Sequence, residues 1–344
     1  MVKKLLCFAL SLGLAFLTGC TTELYDRMLI HAIGVDVVEG GVEVTVRISQ
    51  TGKEDKEESL TGRGESVYRA LESIKLQTGK IPLYSHNYLV IFGRACCEDG
   101  LDGVLDFFIR HFESRPSVRV FMAETTAREV LSVTKEDELI SSDTIEGMVE
   151  ENVSGGSAVK VRLIDLINGQ NSSAGAAVLP MLAAREEVVE LTDTAVLFGG
   201  KLQTTLSPTE TGGFLAVTGR VSGASYVMRD EKNEQVSLRI GDMKAKLTPN
   251  GEGMAVEIFL EADVAAYDGL QSDARRSAET LSDALGRTVE EQVQRALQTA
   301  LRENGCDIFG FSAHLGEAAP ADLPVQIKVS ARVNHVGSEL APLL

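Results

Sequence analysis

The residues with the clearest chemistry in the chain are the four at positions 17–20, which read Leu17-Thr18-Gly19-Cys20. Cys20 carries a thiol, a nucleophile suited to accept a diacylglyceryl group, and the small residues before it let an extended backbone enter a peptidase cleft. This spacing is the bacterial lipobox pattern. It predicts signal cleavage between Gly19 and Cys20 and lipidation of Cys20. The alternative is ordinary signal cleavage beside an incidental cysteine.

Residues 1–19 have the three parts of a lipoprotein signal peptide in the expected order. Lys3 and Lys4 form a short positive region, and an apolar stretch of 13 residues follows at positions 5–17. A transmembrane helix needs roughly 20 apolar residues, so this stretch is too short to remain as a membrane span. No second apolar run of spanning length follows in the sequence. We therefore expect a body tethered to the outer face of the cytoplasmic membrane by acyl chains, since two chains hold where one is marginal.

Elsewhere the sequence shows no catalytic, cofactor or metal motif. The histidines are dispersed, and none forms an HExxH or HxH pair, so no metal ligands are predicted. Residues 62–66 (GRGES) come nearest to a phosphate loop, but they lack its lysine and the neighbouring glutamates would repel an anion. This segment is interpreted as a glycine turn leading to a helix cap. A GxSxG serine motif is also missing. The histidines are His31, His86, His111, His314 and His335.

Three cysteines follow Cys20 in the mature chain: Cys96, Cys97 and Cys306. They show neither a CxxC pair nor a spacing with histidine that would bind a metal ion. A disulfide-stapled scaffold is therefore excluded. The three side chains are predicted to be small buried hydrophobic groups, with one bridge from Cys306 to either neighbour as the alternative.

The charge balance of the chain limits its partners. The full sequence has a net charge of −17, and removal of Lys3 and Lys4 with the signal peptide leaves about −19. Such a chain repels phosphate backbones and has no basic patch from which counterions could be released, so nucleic acid is excluded as a partner. Anionic lipid headgroups should repel it as well, which leaves the acyl anchor as the expected membrane attachment.

Length and composition predict a globular chain of more than one domain. Hydrophobic residues make up 44% and charged residues 24%, and about 325 residues remain after signal cleavage. The predicted fold class is α/β (α+β), with three consecutive units that each contain a mixed or antiparallel sheet packed with helices. After the signal peptide (1–19), these are an N-terminal domain (20–135), a middle domain (136–235) and a C-terminal domain (236–344).

Hydrophobic periodicity and turn signals place the elements of these units. Residues 30–38 and 42–48 alternate apolar and polar side chains around Gly40-Gly41, which predicts a hairpin with one buried face. Ser66 is predicted to cap a helix that reaches Thr78. A long helix over 275–304 should use its apolar stripe to cover its own sheet. Further strands are predicted at 86–92, 118–123, 176–182, 188–198, 236–247, 254–266 and 325–333, and further helices at 101–112, 127–133, 161–167 and from Ser207.

Several stretches, taken in order along nearly the whole chain, resemble a known family. A segment after Cys20 leads into Ala32-Ile33-Gly34-Val35-Asp36, and a second motif is a strand that ends in Gly93. The long helix is followed by a motif that begins at Gly305. The stretches are 23–27 (ELYDR), 32–36 (AIGVD), 85–87 (SHN), 89–93 (LVIFG), 100–101 (GL), 105–110 (LDFFIR), 115–116 (RP) and 305–311 (GCDIFGF). This succession behind a lipobox resembles the Ger(x)C family, the C-subunit lipoproteins of bacterial spore germinant receptors.

The resemblance implies a three-domain α/β lipoprotein on the outer leaflet of the spore inner membrane. It implies membrane-embedded A and B receptor subunits as partners in nutrient-triggered germination, and no catalytic activity. It supplies no partner-binding or ligand-binding residues. The leading hypothesis is therefore a non-enzymatic receptor subunit that docks onto membrane partners. The alternatives are a substrate-binding lipoprotein of a transporter, which usually has two similar lobes and a hinge, and a surface hydrolase.

Overall fold

The computed structural model describes residues 27–50, 53–110, 115–219, 221, 223–229, 233–251, 253–267 and 274–334. The strands are β1 (Arg27–Val38), β2 (Gly41–Gln50), β3 (Lys53–Gly64), β4 (Ile81–Leu83), β5 (Leu89–Phe92), β6 (Arg119–Ala123), β7 (Thr134–Lys135), β8 (Glu138–Leu139), β9 (Ala176–Arg185), β10 (Val188–Phe198), β11 (Lys201–Leu206), β12 (Ser225–Arg229), β13 (Gln235–Asn250), β14 (Gly253–Tyr267) and β15 (Val325–Asn334). The α-helices are α1 (Val67–Thr78), α2 (Arg94–Asp99), α3 (Asp102–Arg110), α4 (Ala127–Leu131), α5 (Ser142–Ser154), α6 (Leu163–Gln170), α7 (Pro208–Val217), α8 (Ala274–Leu297) and α9 (Phe311–Leu315). A 3-10 turn spans Tyr84–His86, and α8 continues as a π-helix over Gln298–Glu303.

The first 206 residues contribute a nine-stranded sheet in the order β11-β10-β9-β6-β5-β1-β2-β3, with β4 paired to the start of β1. The four central strands β9, β6, β5 and β1 are parallel, and antiparallel pairs flank them on both sides. Parallel strands need crossover connections and are covered on both faces, so they read as continuous apolar runs. Strand β5 (LVIF) has this composition, and all four of its residues are buried.

Helices cover both faces of this sheet. On one face, α4 and α5 pack over a small apolar cluster that includes Leu89, Phe121 and Val149. On the other face, α1, α2, α3 and α6 pack over a larger cluster. That larger cluster continues without interruption into the second sheet and helix α8, where it includes Val256 of β14 and Val293 of α8. The two sheets therefore share one apolar core.

The hairpin prediction is correct in position and wrong in burial. Strands β1 and β2 pair around Gly40-Gly41, but Glu43, Thr45 and Arg47 are as deeply buried as the apolar residues between them. The reason is a second covering layer: α4 and residues 140–142 lie against the face that alternation alone assigns to solvent. The residue pattern within β1 and β2 cannot reveal this second covering layer, because the layer comes from later parts of the chain.

The second sheet has the order β12-β13-β14-β15, with β14 and β15 parallel. The long helix α8 connects these two parallel strands and packs across the sheet, as the sequence predicts. Its buried side chains recur at helical spacing and include Leu285, Val289 and Val293. Gly305 ends the helix in the left-handed conformation with φ of 65°, where glycine is favoured. Helix α8 also contacts α7, which packs on the same sheet, so the apolar stripe of α8 covers more than its own sheet.

The predicted fold class is confirmed: mixed and antiparallel sheets are packed with helices, in three sheets within the described residues, the third being the short β7–β8 pair. The domain boundaries at 135 and 235 stay predictions, and the large sheet takes strands from both sides of residue 135. The elements that the sequence did not predict include β3, α5 and β12. The strand predicted over 86–92 begins at Leu89, because Tyr84–His86 form the 3-10 turn.

Candidate functional site

The predicted lipidation and cleavage site, Gly19 and Cys20, lies outside the described residues, as does the signal peptide 1–19. The described chain begins at Arg27, seven positions after Cys20. Arg27 starts β1 and is paired in parallel with Ile81 of β4. The fold therefore fixes the place on the body from which the predicted tether emerges.

The three described cysteines are buried and free. Burial raises the pKa of Cys96 to about 12 and that of Cys306 to about 11, and it raises the pKa of Cys97 well above the usual range. Thiols with raised pKa values are poor nucleophiles because little thiolate is present near neutral pH. These side chains act as small hydrophobic groups in the core. Among the described residues, no cluster of three or more histidine, cysteine or carboxylate side chains is arranged to hold a metal ion.

Residues 62–66 allow β3 to pack closely against α1. Ser66 caps α1, since its hydroxyl accepts a hydrogen bond from the Arg69 amide. Gly62 and Gly64 lie in β3 rather than in a turn, which corrects the interpretation made from sequence. A Cβ at Gly62 would lie 2.3 Å from the carbonyl oxygen of Ala70 on α1. The glycines are needed because strand and helix approach too closely for a side chain.

The two N-terminal motifs that carry the family resemblance lie side by side in the sheet. Ala32 of β1 pairs with Leu89 of β5, and the two strands run in register from there. At the end of β1, the carboxylate of Asp36 accepts hydrogen bonds from the amides of Ala127 (2.8 Å) and Arg128 (2.9 Å), the first residues of α4. A Cβ at Gly93 would lie 2.0 Å from the Asp36 carboxylate.

Motif residues at these positions therefore build a helix cap. Burial raises the pKa of Asp36, although the two amide hydrogen bonds act in the opposite direction. Gly34, in the same motif, is required for the same contact, because its Cβ would lie 2.9 Å from that of Ala127. The small residue Gly34 allows α4 to pack closely against β1, and the acidic residue Asp36 caps the first amides of α4. These two contacts explain why the motif combines small and acidic residues.

The C-terminal motif forms a second carboxylate-centred turn. Asp307 accepts hydrogen bonds from four consecutive amides, 309–312, at 2.6–3.2 Å, and from the hydroxyl of Ser312 at 2.6 Å. These amides include the start of α9. Within the same turn, Phe309 stacks on Phe311 and contacts Phe214 of α7 edge-on, with ring centroids 5.4 and 6.0 Å apart. The motif therefore fastens the end of the long helix to α7.

A buried polar network joins the hairpin to the start of α5. His31 Nδ1 lies 2.8 Å from Glu57 Oε1, and its Nε2 lies 3.0 Å from the hydroxyl of Ser49. The other carboxylate oxygen of Glu57 accepts hydrogen bonds from the amide and hydroxyl of Ser142, at 3.1 and 2.9 Å, and from Arg47 Nε at 3.2 Å. We refer to these five residues, His31, Arg47, Ser49, Glu57 and Ser142, as the hairpin network.

Arg47 is the central cation of the hairpin network. Its side chain is 1% exposed, and its Nη2 donates to the carbonyl of Ile140. Its Nη1 is buried without a hydrogen-bond partner among the described residues. Burial opposes ionisation of Glu57, but hydrogen bonds from His31 and Ser142 and the charge of Arg47 outweigh it, so the pKa of Glu57 is lowered. Glu57 is therefore ionised in the folded state near neutral pH.

Hydrogen bonds connect Ser49 to His31 and His31 to Glu57. This is the order in which the nucleophile, base and orienting carboxylate of a serine triad are connected. The remaining contacts indicate a structural role, because both oxygens of Glu57 are used to connect β1, β2 and β3 with residues 140–142. Sequence reasoning missed this site, since the three residues are 18 and 8 positions apart and form no local motif. A usable signal was Arg47 itself, a cation between the apolar residues Val46 and Ile48.

A shallow groove lies between α1 and β4, beside the point where the described chain begins. Tyr68, Glu72 and Lys75 line it from α1, and Ile81 and Pro82 line it from β4. A second open groove runs between the outer side of α8 and the edge strand β15. Within the described residues, no helix combines the length and apolar character needed to cross a bilayer.

Known proteins match this chain along almost its full length. The sequence pattern described as "Spore germination protein N-terminal domain" matches residues 21–184, and the pattern "Spore germination B3/ GerAC like, C-terminal" matches residues 192–337. Spore germination protein KC of Bacillus subtilis (strain 168) is 22% identical over an alignment that covers 100% of this chain and 98% of the relative. Spore germination protein GerQC of Bacillus cereus is 20% identical over 84% of each chain.

The fold has also been seen before. The crystal structure of the GerBC protein superposes with a TM-score of 0.58 over 88% of this chain and 96% of the other, at 16% sequence identity. Matches to both halves of one family's sequence pattern, in order, agree with the shared fold and with the motifs at Asp36, Gly93 and Asp307. The chain belongs to the Ger(x)C family of spore germination proteins.

Proposed function

We propose that this chain is a non-enzymatic, lipid-anchored C subunit of a spore germinant receptor. Acyl chains on Cys20 hold it at the outer face of the cytoplasmic membrane, which is the inner membrane of the spore. There it docks to membrane-embedded A and B subunits and takes part in the response to nutrients. The Ger(x)C family consists of germinant receptor C subunits and is generally non-catalytic, and a role in germination is supported.

The observation that carries this proposal is the succession of a lipobox and two family domains. The N-terminal family pattern begins at residue 21, directly after the predicted acylated residue, and the C-terminal pattern ends at residue 337. Acylation would confine the body to the membrane plane and raise its effective concentration beside membrane partners. The carboxylate-centred turns at Asp36 and Asp307 serve packing, which agrees with a subunit that acts by contact.

The transporter alternative is less well supported. A substrate-binding lipoprotein closes two lobes about a hinge around its ligand. Here one apolar cluster runs through both sheets, and α7 and α8 contact each other and the second sheet. Opening a cleft between the sheets would expose that shared core. Tight binding of an amino acid or sugar by the purified chain would favour this alternative.

The test replaces Cys20 in a sporulating host whose other receptors have been deleted. The fall in optical density after nutrient addition measures germination, and incorporation of labelled palmitate measures acylation. Cys20→Ala should abolish palmitate incorporation and strongly slow germination. Cys7→Ala, a cysteine within the predicted signal peptide, is the matched control and should leave both unchanged. Normal germination by the unacylated chain, or by a strain that lacks the gene, would contradict the proposal.

A further inference from the structure

The length of the predicted tether limits which part of the body can face the bilayer. Six residues, 21–26, separate Cys20 from Arg27. An extended chain spans at most about 3.3–3.6 Å per residue, so Arg27 lies within about 25 Å of the acylated residue. A compact body of this size has a radius of gyration of about 20 Å, hence a diameter near 50 Å. The tether is therefore short compared with the body, and the end that carries Arg27 must be turned toward the membrane.

That end of the molecule exposes apolar side chains. Tyr68 and Leu76 of α1 are 55% and 80% exposed, and Ile81 of β4 is 42% exposed. Tyr68 and Ile81 line the same groove, and Ile81 is the strand partner of Arg27. Three of the eight large hydrophobic residues that are exposed within the described chain thus lie in 14 consecutive positions. We name the surface formed by Arg27, α1 and β4 the anchor-side face.

The charge of the anchor-side face is opposite to that of the whole chain. Arg27 and residues 66–81 contain four cations and one carboxylate, whereas the full sequence has a net charge of −17. The single carboxylate, Glu72, is paired with Arg69 at 2.6 Å. The net charge of these residues is thus positive, and Arg27 and Lys75 contribute to it beside the exposed apolar side chains. Lysine and arginine beside exposed aromatic and aliphatic groups suit the interface of an anionic bilayer. Their side chains can bury the apolar methylene groups and keep the charged end at the lipid headgroups.

We infer that the anchor-side face is a second membrane contact, in which Tyr68, Leu76 and Ile81 enter the headgroup region and the nearby cations bind anionic lipid phosphates. This inference rests on the proposed acylation of Cys20. It modifies the expectation that headgroups repel the chain: the repulsion applies to the acidic remainder of the body and orients the basic end toward the lipid. The contact adds orientation to an anchor that by itself allows the body to rotate.

The absence of tryptophan from the sequence gives a direct test. Acylated full-length Tyr68→Trp protein, reconstituted in vesicles of phosphatidylcholine with phosphatidylglycerol, should show blue-shifted emission, quenching by lipids with brominated acyl chains and loss of acrylamide accessibility. Phe259→Trp is the matched control, because Phe259 is also an aromatic residue, is 50% exposed and lies on the second sheet. Its fluorescence should stay accessible to acrylamide and insensitive to brominated lipid.

Charge reversal separates the electrostatic part of the contact. Lys75→Glu, in the Tyr68→Trp background, should reduce brominated-lipid quenching in vesicles with phosphatidylglycerol and have less effect in phosphatidylcholine alone. Flotation of the wild-type chain with vesicles, and its loss in Cys20→Ala, tests the anchor independently. The wild type could float with vesicles while the indoles of the Tyr68→Trp and Phe259→Trp variants are equally accessible to acrylamide. That result would leave the proposed acyl anchor supported and would contradict the second membrane contact. Protection of position 68 only in native membranes, and not in lipid vesicles, would also overturn it, in favour of a protein partner.

Discussion

The two sheets hold their helices by different means. At the β1–β3 edge of the large sheet, the contact with α5 runs through the charged and polar side chains of the hairpin network, including a fully buried Arg47. At the second sheet, α8 meets α7 through apolar side chains and a backbone contact at Gly213, whose Cβ would lie 2.2 Å from the carbonyl oxygen of Gln292. The first contact depends on complete pairing of charges, and the second depends on shape.

This difference predicts which substitutions should destabilise each region. A buried ion pair that loses one partner leaves an uncompensated charge, whereas a close helix contact fails only when volume is added. The large sheet should therefore be sensitive to pH and to deletion of single polar groups, and the second sheet should be sensitive to added methyl groups. Four substitutions, each with a matched control, test this contrast.

The largest effect is expected from Arg47→Ala. It leaves the Glu57 carboxylate buried without its cation, which should lower the free energy of unfolding by about 3–5 kcal/mol. The control is Arg63→Ala: Arg63 also pairs with a buried carboxylate, Glu43, but its own side chain is 70% exposed. Such pairs contribute about 0–1 kcal/mol. Urea denaturation of the mature chain measures both, and equal losses would show that the hairpin network is not the main link.

The next effect is a pH dependence at Glu57. Its pKa is lowered from 4.5 in the folded chain, so its contribution is present above that value and is lost as pH falls through the folded pKa. Glu57→Gln should cost about 1.5–3 kcal/mol near neutral pH, and the difference from wild type should shrink in acid. Asp36→Asn is the control with opposite sign, because the pKa of Asp36 is raised. The wild-type advantage over Asp36→Asn should therefore be largest in acid and decline as pH rises.

The second sheet is tested by two adjacent glycines in α7. Gly213→Ala puts a methyl group against the backbone of α8 and should cost about 1–3 kcal/mol. Gly212→Ala is nearly harmless by the same geometry, because its Cβ would lie 3.3 Å from the end of the flexible Gln292 side chain. Alanine also has a helix propensity up to about 1 kcal/mol better than that of glycine. Unfolding curves that rank the two variants in the reverse order would contradict the close contact of α7 and α8.

The second sheet was largely predictable from sequence, because β13, α8 and β15 are long and strongly periodic and because β13 and β14 form a local hairpin. The helix start predicted at Ser207 is likewise a local signal, and there Ser207 and Glu210 form a capping box. The hairpin network was not predictable. Its residues alternate as a half-exposed strand should, and the layer that buries them comes from residues 140–142, more than 80 positions later. Strand β3 was missed for a related reason: Leu60 is its one large apolar residue (KEDKEESLTGRG), and its position in the sheet comes from pairing with β2.

The smallest effect, and the most informative about chemistry, is expected from Ser49→Ala. Ser49 is only half-buried, and the hydrogen bond that its hydroxyl makes among the described side chains is the one with His31 Nε2. If the hairpin network is structural, water can replace that hydroxyl, and the loss should be about 0.5–1.5 kcal/mol with nutrient germination unchanged. Ser142→Ala is the control, because Ser142 is buried and bonds Glu57, so it should cost more. A stably folded Ser49→Ala chain that no longer supports germination, while a folded Ser142→Ala chain still does, would instead show that the Ser49–His31–Glu57 arrangement does chemistry. A purely structural role of the network would be lost at the buried Ser142 before it is lost at Ser49.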